Sequence, residues 1–315
     1  MTYADTIAVV LDAPERISVR ALELVAAGSD DVTVDVEWSG ISTGTERLLW
    51  NGRMPHFPGF GYPLVPGYES VGVIVDAGAN ARRRIGERVF VGGASCYRDA
   101  RGLFGATAKR LVVPSARAVK VADDTDESAV LLALAATARH ALALGAQPPE
   151  LIIGHGVLGR LLARLTICAG HAPPTVWEIN ASRRDGAHGY SVVDPAEDKR
   201  TDYGSIFDVS GDADVLDVAI ARLRRGGEIV LAGFYENQLH FRFPPAFMRE
   251  ARMRVAAEWK PEDLAYVIDA SERGALSLGD LISHRRSAGG ANEAYRTAFS
   301  DAACLKMVLS WKDLS

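Results

Sequence analysis

The sequence predicts an α/β protein in two parts: an all-β, barrel-like segment and a doubly wound parallel sheet. Three observations predict it. The first third of the chain carries short strand patterns separated by dense turn residues. After about residue 123, apolar strand-like runs alternate with helical ones, the pattern of a parallel sheet covered by helices. A glycine-rich turn also joins one of these strands to an amphipathic helix.

In the first part, Val32, Val34, Val36 and Trp38 alternate with polar residues, as a half-buried strand requires. Gly40, Gly44, Gly52, Gly59, Gly61, Pro63, Pro66 and Gly67 punctuate the stretch after that strand. Further strands are expected near 71–75, 87–91 and 109–113, giving a barrel-like region. A helix rich in Ala and Leu comes next, over 127–144. Strands are expected at 151–153, 175–179, 191–193, 206–209 and 228–231, with a helix over 215–223. Leu158, Leu161, Leu162 and Leu165 share one helical face, with Arg160 and Arg164 on another. Residues 196–204 leave little room for a full helix. From Pro261 the chain is read as a helix, a loop near 283–287, another helix and a last strand over 305–311.

Composition narrows the function. The 315 residues suffice for two domains with real cores, and 48% hydrophobic with 24% charged residues is ordinary globular composition. A net charge of -5 argues against a nucleic-acid partner, which needs a basic surface. Arg82, Arg83 and Arg84 read as a solvated turn between strands, or as a local basic patch. Cys96, Cys168 and Cys304 are far apart and form no CxxC pair, so no disulfide framework is expected. The opening MTYADTIAVV has no basic stretch before an apolar run, so it does not read as a secretory signal. The longest apolar segment, 129–146, contains Arg139 and His140 and reads as a buried helix rather than an integral membrane span. A cytoplasmic location is the default, with visits to a membrane surface left open.

The motif with most chemical content is Gly154-His155-Gly156-Val157-Leu158-Gly159. It comes after a strand and opens a helix, the context in which a GxGxxG binds a dinucleotide. The first glycine permits the tight turn, the second admits the pyrophosphate, and the third lets helix and strand pack closely. The helix N-terminus offers free N–H groups and its positive dipole end. Glu178, 19 residues beyond Gly159 at the end of the next strand, is placed to accept hydrogen bonds from the adenosine ribose and to repel a 2′-phosphate. NAD is therefore expected on a Rossmann-type domain. Arg183 and Arg184 keep NADP open.

Several segments together resemble the medium-chain dehydrogenase/reductase family. Gly40-Ile41-Ser42-Thr43-Gly44-Thr45-Glu46 is similar to its Gly-Ile-Cys-Gly-Thr-Asp segment, and Pro66-Gly67-Tyr68-Glu69 to its Pro-Gly-His-Glu. Gly86-Glu87-Arg88-Val89 resembles its Gly-Asp-Arg-Val. The segment from Thr137 to Ala141 resembles the one whose threonine lies by the nicotinamide, and Cys304 to Leu309 its closing strand, which returns Lys306 toward the cofactor. Ser210, after the strand at 206–209, is also assigned to the cofactor. The resemblance implies a GroES-like domain of residues 1–122 and 260–315, with the dinucleotide domain inserted at 123–259. It also shows departures. Where zinc members carry a Cys and a His, this chain has Ser42 or Thr43, and Tyr68. The cysteine-rich lobe expected after Val91 is reduced to Cys96. No protein-bound zinc is expected.

More narrowly, GISTGTERLLWNGRMPHFPGFGYPLVPGYESVG resembles a zinc-free branch of that family. This implies oxidation of the 3-(1-hydroxyethyl) group of a magnesium bacteriochlorin pigment, a bacteriochlorophyllide, to 3-acetyl, in bacteriochlorophyll synthesis. Thr45 then matches the relay hydroxyl, or is a turn hydroxyl at a helix start. Tyr68 either bonds the substrate oxygen or fills an empty metal site. Glu46 and Glu69 are proton acceptors or structural carboxylates. Trp50, Met54, His56, Phe57, Phe60 and Tyr62 form an aromatic loop suited to a flat macrocycle, with His56 either a magnesium ligand or a surface histidine. His155 is expected to be exposed in its loop and is given no catalytic role. Two other readings stay open: a zinc-free NADP-dependent quinone or enone reductase, and a pigment or cofactor carrier without turnover. A homodimer is also left open.

Overall fold

A computed structural model describes residues 5–56 and 58–314. The chain divides into one unit of residues 1–133 with 281–315 and a second of residues 134–280. The boundaries fall later than the sequence reading placed them. The helix Pro261–Glu272 goes with the second unit, where Asp263 Oδ2 lies 2.7 Å from His140 Nδ1.

The first unit opens with β1 (Asp5–Ala13) and β2 (Arg16–Glu23), an antiparallel hairpin that the sequence reading missed. β3 (Asp31–Ile41) buries the predicted Val32, Val34 and Val36. A short helix, α1 (Thr45–Asn51), precedes β4 (Leu64–Val65) and β5 (Ser70–Ala77). Arg82 and Arg83 sit exposed in the turn that leads to β6 (Arg88–Val91), as a solvated turn requires. β7 (Arg101–Gly102), β8 (Arg110–Pro114) and β9 (Ala118–Lys120) complete this part. α2 (Leu132–Leu144) comes next. Among the described residues, Glu127–Leu144 is the stretch long and apolar enough to cross a membrane, and 61% of it is buried inside the fold.

The second unit holds a six-stranded, all-parallel sheet. Its strands are β10 (Leu151–Ile153), β11 (Thr175–Trp177), β12 (Ser191–Val193), β13 (Tyr203–Asp208), β14 (Leu223–Leu231) and β15 (Arg252–Val255). Their spatial order is β12-β11-β10-β13-β14-β15. The order reverses between β10 and β13, and ligands of such sheets bind at the carboxyl ends of those strands. α3 (Val157–Cys168) joins β10 to β11, α4 (Leu216–Arg222) joins β13 to β14, and α5 (Phe243–Met248) joins β14 to β15. β12 connects to β13 through turns alone, as the short spacing predicts. α6 (Pro261–Glu272) closes the unit.

The arginines of α3 are buried although charged. Arg160 and Arg164 do not face solvent; they are 5% and 6% exposed. Burial is sustained by carbonyls from distant turns: Arg164 Nη1 donates to the carbonyls of Ser277 and Gly279 at 2.9 and 2.8 Å.

The chain then returns to the first unit. The segment expected as a loop is a strand, β16 (His284–Ser287). It runs parallel to β17 (Met307–Ser310), which pairs antiparallel with β3. Between them, α7 (Ala291–Ser300) buries Ala294, Tyr295 and Ala298. Pairing of β17 with β3 is what builds this unit from both ends of the chain.

Candidate active site

The glycine loop leaves β10 beside the end of β13, where Ile153 and Asp208 are in register. Gly154 has φ +105°, and a Cβ there would sit 3.1 Å from the Ser210 backbone. A Cβ on Gly159 would lie 1.9 Å from the Gly154 carbonyl oxygen, so helix and strand meet only because it is absent. A Cβ on Gly156 would meet nothing within 4 Å. Gly156 also begins α3 without a side-chain cap. The first turn of α3 thus starts without a side-chain cap and beside open space at Gly156, the kind of helix start an anion uses.

Glu178 is 8% exposed. Its Oε2 accepts the His155 N–H at 3.1 Å and its Oε1 the Asn180 N–H at 2.8 Å. Each oxygen keeps a second lone pair for a sugar hydroxyl. Arg184 is committed elsewhere: it donates to the carbonyls of Glu178 and Ile179 and to the Asp194 carboxylate. Arg183 is half-buried, as is Thr137 on α2. His155 is fully buried rather than exposed, and burial pulls its pKa down to about 4.

Asp208 was missed. It is fully buried, and Oδ1 accepts the Ser210 N–H and O–H at 3.0 and 2.7 Å. Its Oδ2 accepts the Tyr235 hydroxyl at 2.5 Å. Burial pushes its pKa up. The signal was an acid ending an apolar strand at the point where the sheet order reverses.

In the first unit a polar cluster surrounds Tyr68. Its hydroxyl is hydrogen-bonded to Ser42 Oγ and also to the Thr45 side chain. Its ring meets Phe104 edge-on at 5.2 Å. Burial, then the charge of Glu69, pushes the phenol well above its ordinary pKa. Glu46, on α1, is fully buried. Its Oε1 accepts the Ser42 N–H at 2.9 Å and its Oε2 the Tyr295 hydroxyl at 2.6 Å. Desolvation outweighs these bonds and raises its pKa to about 7.

Glu69 is fully buried and forms an ion pair with Lys306, 1% exposed. A Cβ on Gly40 would come within 2.1 Å of Glu69 Oε2, so this glycine makes room for the pair. The ammonium expected to face the cofactor thus has another partner, since a buried cation needs its counter-charge close by.

The aromatic loop is anchored rather than free. Trp50, Met54, Phe60 and Tyr62 pack on Leu11, Leu49, Leu64 and Leu103, and the Tyr62 hydroxyl donates to the Leu49 carbonyl. His56 is exposed, and Phe57 lies outside the described residues. Among the described residues no group of three or more His, Cys, Asp or Glu side chains is placed to hold a metal ion.

Comparison with known proteins agrees with this architecture. Residues 28–123 match the alcohol dehydrogenase GroES-like domain. The chain is 55% identical to the 2-desacetyl-2-hydroxyethyl bacteriochlorophyllide A dehydrogenase of Cereibacter sphaeroides, over 98% of each chain. A short-chain alcohol dehydrogenase of Escherichia coli CFT073, solved with NADH, superposes with a TM-score of 0.84 at 21% identity, over 98% of this chain and 99% of that one. A zinc-binding dehydrogenase of Sinorhizobium meliloti, solved with NADP, gives 0.83 at 23% identity over the same shares. At those identities the likeness shows the fold alone.

Proposed function

The chain belongs to the medium-chain dehydrogenase/reductase family, and from that premise we propose that it oxidises the hydroxyethyl group of a bacteriochlorophyllide to acetyl, using NAD and no zinc. The observation that carries this reading is the 55% identity, across nearly the whole length, to an enzyme named for that substrate. The partner is then a small pigment molecule, met in the cytoplasm or at a membrane surface.

The glycine loop fits a dinucleotide: open space at Gly156, an uncapped helix start, and Glu178 at the ribose position. NAD is favoured over NADP because Glu178 repels a 2′-phosphate and Arg184 is already committed to carbonyls and to Asp194. Bound NAD supplies the hydride acceptor. Zinc does not fit the donor set at Tyr68. Ser42 and Tyr68 bring neutral oxygens bonded to each other, and Glu69 is bound to Lys306.

Hydride leaves the carbinol carbon, so the hydroxyl proton must pass to the chain. Tyr68, held neutral, donates a hydrogen bond to the substrate oxygen rather than removing its proton. Thr45 and Ser42, both bonded to the phenol, orient and relay. Glu46, raised to about 7, has the proton affinity suited to an acceptor near neutral pH. Burial pushes the Glu69 carboxyl up as well, but Glu69 is less suited because the Lys306 ammonium paired with it opposes its protonation. The anchored loop of Trp50, Met54, Phe60 and Tyr62 offers the macrocycle an apolar face.

The test mixes the protein, NAD and the hydroxyethyl pigment. A red shift of the long-wavelength pigment band should accompany rising near-ultraviolet absorbance of reduced nicotinamide. Absence of both overturns the reading, and a clear preference for NADP overturns its cofactor assignment.

A further inference from the structure

A histidine inside a phosphate loop is ordinarily open to solvent or to the anion. His155 is instead fully buried, and it is bonded at three points. Its N–H donates to Glu178 Oε2 at 3.1 Å. Nδ1 faces the Arg183 carbonyl at 2.7 Å, an acceptor only, so Nδ1 carries the proton. Nε2, 2.9 Å from Tyr190, then accepts that phenol's hydrogen. The two rings also meet edge-on, with centroids 5.6 Å apart.

Arg160, from the first turn of α3, reinforces the same junction. Its Nε donates to the His155 carbonyl at 3.1 Å. Its Nη2 donates to the carbonyls of Arg183 and Asp185 at 2.9 and 2.8 Å, and its Nη1 to that of Gly186 at 3.2 Å. Gly186, at φ +81°, would place a Cβ 2.4 Å from Nη1, so the turn is shaped around the guanidinium.

We propose that His155, Tyr190 and Arg160 form a latch that holds the 181–186 turn against the glycine loop, so that loop amides and the Glu178 carboxylate meet a dinucleotide as one preset surface. His155 is then a positioning residue: its ring acts through the turn. The proposal rests on the reading that this loop takes a dinucleotide. It assigns the imidazole to affinity rather than to chemistry, because its nitrogens are both taken by the protein.

Removing a hydrogen-bonded positioning contact of this kind corresponds to roughly a tenfold loss of affinity. The experiment measures kcat and KM for NAD with the pigment substrate, and Kd for NAD by calorimetry, for wild type, His155→Ala, His155→Asn and Tyr190→Phe. His155→Ala should raise Kd and KM about tenfold with kcat within twofold. His155→Asn, which keeps a donor toward the Arg183 carbonyl, should recover part of that loss. Tyr190→Phe should raise both constants by about threefold. Unchanged Kd in a folded His155→Ala or Tyr190→Phe protein overturns the latch, as does a fall in kcat at constant KM. Loss of the fold in both variants also overturns it, since the network is then purely structural. Failure of the wild type to bind NAD overturns instead the dinucleotide reading beneath it.

Discussion

Glu46→Gln tests the electrostatics of the Tyr68 cluster through stability, independently of any substrate. Burial raises the Glu46 pKa from its ordinary 4.5 to about 7. Each unit of difference between folded and unfolded chains corresponds to about 1.4 kcal/mol, so this group contributes about 3 kcal/mol. Between those two values the folded protein holds a proton that the unfolded chain has released. The contribution is complete below pH 4.5 and is lost as pH rises through 7. Glutamine has no proton to lose, and its carbonyl can still accept the Ser42 N–H. Urea unfolding of both proteins from about pH 4.5 to about pH 8 is the assay. The difference in unfolding free energy should move in favour of the variant by about 3 kcal/mol across that range, whatever its starting offset. Carboxylates held low, such as Glu37 and Asp126, titrate in both proteins and cancel. A difference that stays flat with pH, or that moves toward the wild type, refutes the reasoning.

The remaining predictions concern the ion pair, the glycine loop and the phenol. Lys306→Met should cost about 3–5 kcal/mol in denaturant unfolding, because Glu69 is left buried without its counter-charge. Adding Glu69→Gln should restore much of that loss. Gly156→Ala should leave stability within about 1 kcal/mol yet weaken NAD binding at least tenfold, because its open space is where the pyrophosphate belongs. Gly159→Ala should lower the melting temperature as well, since its methyl would meet the Gly154 carbonyl. Tyr68→Phe should keep the melting temperature while kcat/KM falls by about a hundredfold, the scale of losing one donor to the reacting oxygen.

Local patterns carried much of this structure. The alternation of Val32, Val34 and Val36 marks β3, and the glycine spacing marks the β10–α3 turn, because each depends on neighbours in sequence. The features that stayed hidden depend on distant partners. The run Ile7-Ala8-Val9-Val10-Leu11 is continuously apolar and does not declare a strand until it pairs with β2. His284 to Ser287 are polar and become a strand by lying at a sheet edge against β17. The burial of Arg160 was not legible because most of its acceptors lie some 25 residues away along the chain. The Glu46–Tyr295 and Glu69–Lys306 pairs join residues from opposite ends of the chain. Residue type alone could nominate these carboxylates but not supply their partners or their proton affinities.

The most direct measurement tracks the hydride itself. Pigment carrying deuterium on the hydroxyethyl carbinol carbon is mixed with excess protein and NAD for a single turnover, and the recovered dinucleotide is weighed by mass spectrometry. Reduced nicotinamide carrying one deuterium, formed in step with the acetyl pigment, is the predicted result. Acetyl pigment formed with no deuterium in the dinucleotide, or no reaction at all from a protein that binds NAD, would contradict it.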